Sequence, residues 1–142
     1  MSELLDKARE VKEAAAVLAQ LGAGEKNSAL YCIAEALREN TDPIIEANSM
    51  DTELGRRAGM SASLLDRLTL NEARIMDIAA GVEKVAELHD PIGEVIEEFE
   101  RPNGMIITKV RVPLGVIGLI YEARPNVTVD SAALSLKAGS GV

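Results

Sequence analysis

Residues 116–121 read Val116-Ile117-Gly118-Leu119-Ile120-Tyr121, a continuous apolar run typical of a strand buried in a parallel sheet. A short polar loop, residues 122–126, follows this run, and apolar residues then recur at helical spacing from Val129. A strand that leads through a loop into a helix is the building unit of doubly wound sheets, which bind ligands at that loop. The sequence therefore predicts an α/β fold with a binding loop at 122–126.

Upstream of this unit the hydrophobic period is two, which predicts a β-hairpin. Residues 94–100 form one predicted strand, Pro102-Asn103-Gly104 the turn, and residues 105–112 the returning strand. The returning strand is apolar on one face and partly apolar on the other. Because two strands alone are marginal in water, we expect the hairpin to pack against another subunit or domain.

Before the hairpin, apolar residues recur at steps of three and four, which predicts a series of helices. Thr41-Asp42-Pro43 predicts a capped helix start, and Thr69 with Glu72 matches a capping box. Cys32 lies on the apolar side of its predicted helix, so we expect it to be a small core residue.

The composition excludes several classes of function. The 142 residues include 15 Lys and Arg against 23 Asp and Glu, a formal net charge of −8, which would repel nucleic acid. Aromatic residues are only 2% of the chain, too few for base-stacking platforms. We find no secretory signal and no apolar run near the ~20 residues of a membrane helix. One cysteine and one histidine predict no metal site and fit a reducing cytoplasm.

The last predicted helix ends near Gly139 and Gly141, where the second strand of the unit should begin. A lone parallel strand would have an unsatisfied edge. We therefore expect the sequence to be the N-terminal part of a longer protein. It divides into a helical part (1–90), the hairpin (91–114) and the first strand-loop-helix of an incomplete doubly wound sheet (115–142).

Two side chains of the polar loop are candidates for chemistry. Arg124 can pair bidentately with a carboxylate or a phosphate. Asn126 can donate a hydrogen bond to a developing oxyanion, which is worth about 2.7–4 kcal/mol. The alternative interpretation is that Asn126 caps the helix and Arg124 is a surface charge, while Lys137 reads as a charge at the helix end.

The loop and its flanks resemble a family signature. Residues 112–130, which include Tyr121-Glu122-Ala123-Arg124-Pro125-Asn126-Val127-Thr128-Val129-Asp130, are similar to the gamma-glutamyl phosphate reductase (glutamate-5-semialdehyde dehydrogenase) family. The similarity continues at 135–139, at 45–48 with Asp51, and at 65–70 leading to 90–95, and so covers essentially the whole chain. It implies an aldehyde-dehydrogenase-like fold with helices, an oligomerisation hairpin and the first βα unit of a doubly wound sheet.

The resemblance also implies an activity. Members of this family reduce L-glutamyl 5-phosphate with NADPH to L-glutamate 5-semialdehyde and phosphate, a step of proline biosynthesis. A catalytic cysteine attacks the acyl phosphate and forms a thioester, which hydride then reduces. The segment with that cysteine lies beyond Val142, and Cys32 does not match it, so we expect this chain alone to be inactive. The resemblance implies a cytoplasmic homo-oligomer assembled through the hairpin.

The resemblance extends to the loop residues. Superfamily members place an oxyanion-stabilising asparagine after this strand; Asn126 is the nearest candidate, whereas an ungapped match puts Arg124 there. Arg124 and Asn126 are the implied substrate contacts, and the backbone of Tyr121, Glu122 and Ala123 is implied to lie near the nicotinamide ribose. Two other hypotheses stay open: a related aldehyde or acyl-phosphate dehydrogenase with another substrate, and a non-catalytic module that interacts through its helices and hairpin.

Overall fold

The computed structural model describes residues 2–122 and 124–142. Helices come first in the chain, then a hairpin, then one more helix, in the order that the hydrophobic periods predict. The elements are α1 (Ser2–Leu18), α2 (Ala23–Glu39), α3 (Thr41–Arg57), α4 (Ala62–Leu68), α5 (Glu72–Glu87), β1 (Val95–Glu100), β2 (Ile106–Val110) and α6 (Pro125–Lys137).

The core forms where α2, α5 and α6 pack against one another. Its fully buried residues are Leu30 and Ala34 of α2, three residues of α5 and Ala133 of α6. Most of these side chains are alanines, so the helix backbones approach closely. Arg38 of α2 and Glu83 of α5 form an ion pair of 2.7 Å beside this core.

Cys32 is exposed, so the prediction that it belongs to the core is wrong. The buried face of α2 carries Leu30 and Ala34. Cys32 lies two positions from each of them, which is roughly 200° around a helix. Its neighbours in sequence are apolar, but its side chain points away from α5 and α6.

Both predicted threonine caps are also wrong. Thr41 lies inside α3, and its hydroxyl donates to the carbonyl of Arg38 at 2.9 Å. Thr69 ends α4 instead of starting α5, and its hydroxyl donates to the carbonyl of Leu65 at 2.6 Å. The cap of α5 is Asn71, whose side-chain oxygen accepts from a backbone amide one turn into the helix. A side-chain cap is therefore present two residues after the predicted one, and the residue at N3 is Arg74 and not the glutamate of a capping box.

The predicted hairpin is confirmed. Strands β1 and β2 pair antiparallel, with Phe99 opposite Ile107 and an irregularity between Val95 and Glu97. Gly104 closes the turn with a φ of +80°, which glycine adopts without strain. The two strands contact chiefly each other, and apolar side chains remain exposed on the ribbon, Ile106 by 64%.

The run 116–121 does not form the buried strand that its composition predicts. Only Val116 takes part in a parallel bridge, with Gly141. Leu119 is half-exposed and Ile120 is fully exposed. A parallel strand needs a neighbour along its edge, and within the described residues only the last two positions of the chain lie there. The parallel pairing of this run is therefore limited to the bridge at Gly141, the position where the second strand is predicted to begin.

The bridge is packed beneath α1. A Cβ atom on Gly141 would lie 2.6 Å from Cγ1 of Val11 and 3.3 Å from Cβ of Ala15. Ala15 is buried in this contact. Any side chain at position 141 would therefore push α1 away from the bridge.

A buried charge cluster, Lys26, Asp90 and Lys137, joins three helices at the base of the hairpin. Nζ of Lys26 lies 2.6 Å from Oδ2 of Asp90 and donates to the carbonyl of Lys137 at 3.2 Å. Nζ of Lys137 donates to the side chain of Asn27 at 2.7 Å and to the carbonyl of Ala86 at 2.8 Å. Each ammonium thus binds the last turn of a helix, where the dipole favours a cation. Lys137 ends α6 as predicted, but it is buried and not a surface charge.

The cluster shifts the pKa values of two of its groups. Burial acts to raise the pKa of Asp90, but hydrogen bonds from Lys26 and from the amide of Ile92, with the charges of both lysines, hold it below its ordinary value. Burial lowers the pKa of Lys137, against the attraction of Asp90. The carboxylate is therefore stabilised in its charged form, and the Lys137 ammonium is not.

Candidate functional site

The predicted loop leads directly into α6. Pro125 occupies the first turn of the helix, where its fixed φ suits the helix and its missing N–H costs nothing. Arg124 is the residue before the helix, and its carbonyl accepts from the amide of Val127 at 3.0 Å. Its side chain makes no capping hydrogen bond to the described residues, and it is exposed. The guanidinium is therefore available to a ligand.

Asn126 lies inside the first turn of α6 and does not cap it. Its Nδ2 donates to Oδ2 of Asp130, one turn later, at 3.0 Å. This contact orients the amide and uses one of its two N–H groups. The second N–H and the side-chain oxygen form no hydrogen bond with any residue that the structure describes, so a ligand can bind them.

Tyr121 ties the loop to α6. Its hydroxyl lies 2.6 Å from Oγ1 of Thr128, and either oxygen can donate. Glu122 is exposed. Ala123, the third residue of the predicted cofactor contact, lies outside the described residues. Tyr121, Arg124 and Asn126 therefore come together at one end of α6.

An open cleft of about 380 Å³, here called the arginine cleft, separates the start of α6 from α4 and α5. Its charged and amide side chains come from all three helices and are Asp66, Arg67, Arg74, Asp77, Arg124 and Asn126. A second cleft of about 400 Å³ lies on the other side of Arg124, toward α3 and Tyr121. Arg124 lines both clefts.

Arg74 fixes the wall of the arginine cleft. Its Nη2 lies 2.9 Å from Oδ1 of Asp66, and its Nη1 donates to the backbone carbonyls of Asp66 and Thr69. These bonds hold the turn between α4 and α5 in one conformation. Arg74 and Asp66 therefore neutralise each other and serve the structure of the wall.

Asn48 holds the same turn from α3. Its Nδ2 donates to the carbonyl of Leu68 at 2.9 Å, and its Oδ1 accepts from the amide of Leu70 at 2.7 Å. The side chain is 6% exposed. A buried asparagine at this position bridges two backbone groups that no helix satisfies.

The sequence analysis singled out Arg124 and Asn126, which line this cleft, and did not single out the lining residues on α4 and α5. The sequence feature that could have indicated the α5 residues is their spacing, because Arg74 and Asp77 are three positions apart and so lie on the same helix face. Among residues 2–122 and 124–142, no group of three or more His, Cys, Asp or Glu is placed to hold a metal ion. No helix in the same residues is long and apolar enough to cross a membrane.

Sequence comparison identifies the relatives of the chain. No family model matches it. Gamma-glutamyl phosphate reductase from Anoxybacillus flavithermus is 56% identical over 142 residues, and that from Carboxydothermus hydrogenoformans is 54% identical over the same length. The chain is homologous to one third of gamma-glutamyl phosphate reductase. Both alignments cover 100% of this chain and 34% of the relative, so the chain spans about a third of the length of the curated relatives it matches.

Solved structures of gamma-glutamyl phosphate reductase have the same fold over this region. The crystal structure from Thermotoga maritima matches with a TM-score of 0.93 and 49% identity, over 97% of this chain and 33% of that one. The structure from Saccharomyces cerevisiae matches with a TM-score of 0.88 and 34% identity, over 93% of this chain and 34% of that one. The resemblance to this family and the predicted α/β class are confirmed.

Proposed function

We propose that this chain forms part of an NADPH-dependent reductase that converts L-glutamyl 5-phosphate to L-glutamate 5-semialdehyde and phosphate, as in proline biosynthesis. The observation that carries the proposal is the 56% identity, over all 142 residues, to a gamma-glutamyl phosphate reductase. The related structures are oxidoreductases by name, and the shared region includes the loop before α6. On this proposal the chain alone is inactive, because the nucleophilic cysteine belongs to a segment outside it.

Arg124 and Asn126 are the proposed substrate contacts. The net charge of the chain is −8, so an anionic substrate needs a local cation, and Arg124 is exposed beside two clefts. Its guanidinium would pair with the phosphate or the carboxylate of the substrate. The second N–H of Asn126 would donate to the oxyanion that develops when the acyl carbon is attacked. The contact with Asp130 supports this role, because it fixes the direction of the amide.

The backbone from Gly118 to Glu122 fits a contact with the nicotinamide ribose. In the part of the chain that the structure describes, its amides and carbonyls make no hydrogen bond with backbone groups. The bond between Tyr121 and Thr128 keeps this segment beside α6. Tyr121 and Glu122 would therefore hold the ribose of NADPH, which supplies hydride when bound, and Ala123 is assigned to the same contact on the family resemblance alone.

The hairpin is the proposed contact between subunits of a homo-oligomer. Its apolar residues are exposed on both faces of the ribbon, Val95 by 54% and Phe99 by 36%. We place the enzyme in the cytoplasm and keep the division into a helical part, a hairpin and a strand-loop-helix at 1–90, 91–114 and 115–142. The exposed hairpin equally favours a second candidate function for the chain by itself, a non-catalytic interaction module.

The deciding experiment uses a full-length reductase that contains this chain as its matching third. With glutamate 5-semialdehyde, phosphate and NADP⁺, we expect formation of NADPH that depends on phosphate. The chain alone is the control and should form none. Oxidation of other aldehydes in preference to the semialdehyde would favour a related dehydrogenase, and a full-length enzyme without activity would overturn the proposal.

A further inference from the structure

Two arginines that form no ion pair with a described residue line the arginine cleft. Six of the nine arginines of the sequence form ion pairs within the described residues, and the guanidinium of Arg101 lies over the ring of Phe99 at 4.8 Å. The remaining two are Arg67 and Arg124, and both line this cleft. An acidic protein offers many carboxylates to pair with, so two unpaired guanidinium groups in one cleft indicate an anionic ligand.

The same cleft holds an unpaired carboxylate. Asp77 lies on α5 one turn after Arg74, is exposed, and forms no ion pair with a described residue. Asp66, the other carboxylate of the cleft, is bound by Arg74. Because Arg74 and Asp66 neutralise each other, the charges that the cleft offers to a ligand are two cations, Arg67 and Arg124, and one anion, Asp77.

The charges of Arg67, Arg124 and Asp77 are opposite in sign to the charged groups of L-glutamyl 5-phosphate. L-Glutamyl 5-phosphate carries a phosphate at one end and an α-carboxylate with an α-ammonium at the other. We propose that the arginine cleft binds the amino-acid end of this substrate, with Arg67 on the α-carboxylate and Asp77 on the α-ammonium, while Arg124 faces the phosphate. This inference rests on the proposed function and names the residues that select an amino acid over a simple aldehyde or acyl phosphate.

The wall of the cleft suits this role because it is rigid. Arg74 binds Asp66 and the carbonyl of Thr69, so the turn that follows Arg67 at the end of α4 is fixed before a ligand arrives. Asn48 holds the other side of the same turn through Leu68 and Leu70. A backbone that is fixed before the ligand binds lowers the conformational entropy that binding costs.

The test compares three aldehydes in the full-length reductase that contains this chain. Glutamate 5-semialdehyde carries both α groups, 5-oxopentanoate lacks the ammonium, and 4-aminobutanal lacks the carboxylate. The value of kcat/KM is measured for each aldehyde with phosphate and NADP⁺ in excess. The variants are Asp77→Asn and Arg67→Ala, with Arg57→Ala as the matched control, because Arg57 is an exposed arginine paired with Glu53 on α3.

For Asp77→Asn we expect a loss of about 10- to 100-fold with the semialdehyde and with 4-aminobutanal, and no loss with 5-oxopentanoate. For Arg67→Ala the same loss should appear with the semialdehyde and 5-oxopentanoate but not with 4-aminobutanal. Ratios within one variant do not depend on how much of it folds. Equal losses for all three aldehydes, or wild-type ratios, would overturn the inference. A wild-type enzyme inactive on the semialdehyde would instead overturn the proposed function, and the inference with it.

Discussion

At the scale of single residues, Arg124 is the cation that the proposed substrate meets beside α6. Arg124→Ala in the full-length reductase should lower kcat/KM for the semialdehyde by about 10- to 100-fold, because a charge-assisted hydrogen bond is lost. Arg124→Lys should restore only part of this loss, since an ammonium lacks the planar fork of the guanidinium. Steady-state kinetics measures both, and wild-type values for Arg124→Ala would remove this residue from the site.

Asn126 should act on the chemical step and not on stability. For Asn126→Ala we expect kcat to fall by about 10²- to 10³-fold with KM little changed, because an oxyanion donor acts mainly in the transition state. The melting temperature should stay near wild type, since the only side-chain hydrogen bond of Asn126 among the described residues is with exposed Asp130. A wild-type kcat together with a lower melting temperature would instead assign Asn126 to the helix.

The residues of the loop could be predicted because they are contiguous in sequence. Arg124 and Asn126 lie within a single motif, whereas Arg67 and Asp77 reach the same cleft from other helices. Their proximity depends on tertiary packing, which no local pattern encodes. The prediction that Cys32 is buried was wrong for a related reason, since the apolar residues beside it in sequence do not share its helix face.

At the scale of elements, Asn48 joins α3 to the turn between α4 and α5. Asn48→Ala should lower the free energy of unfolding by about 1–3 kcal/mol, because the carbonyl of Leu68 and the amide of Leu70 both lose their partner. Chemical denaturation measures this change. Ser49→Ala is the matched control on the exposed side of α3 and should change stability by no more than about 0.5 kcal/mol.

The buried charge cluster makes stability depend on pH. Because the pKa of Asp90 is held below its ordinary value of 3.8 in the folded state, the unfolded state binds more protons in acid. The stabilisation from Asp90 is therefore complete above the ordinary value and is lost as the pH falls through the lowered one. Unfolding by urea between pH 6 and roughly pH 2.5 should show this loss.

Asp90→Asn is the variant that tests this assignment. It should be less stable than wild type at pH 6 and should show a shallower decline of stability in acid. Lys137 gives a pH dependence of the same direction, but at higher pH, because its pKa is also lowered: stability rises with pH between its folded and unfolded pKa values. An identical acid decline in wild type and Asp90→Asn would assign the effect to other carboxylates.

Elements held together by local contacts were predictable, and the one that needs distant partners was not. The helices and the hairpin follow from hydrophobic period and turn residues, which act over a few positions. The run 116–121 has the composition of a buried strand, but a parallel strand forms only against a neighbour. Within the described residues the bridge between Val116 and Gly141 is the only such pairing.

At the scale of the whole molecule, exposed apolar surface should drive association. The hairpin exposes Val95 and Ile106, and the adjoining segment exposes Leu114 by 84% and Ile120 fully. Light scattering of the purified chain should therefore give a mass above 15.1 kDa. Replacing Ile106 and Leu114 together by glutamate should lower that mass. A wild-type monomer with a single cooperative melting transition would contradict this expectation.

The contact between Val11 and Gly141 also affects the order in which the chain can assemble. In the described residues α1 packs chiefly against the segment after the hairpin and against Gly141, not against the helices that follow it in sequence. During synthesis α1 emerges from the ribosome well before Gly141, because the other seven helices and strands of the described residues lie between them in sequence. The face of α1 that carries Val11 and Ala15 must therefore stay uncovered until Gly141 has emerged.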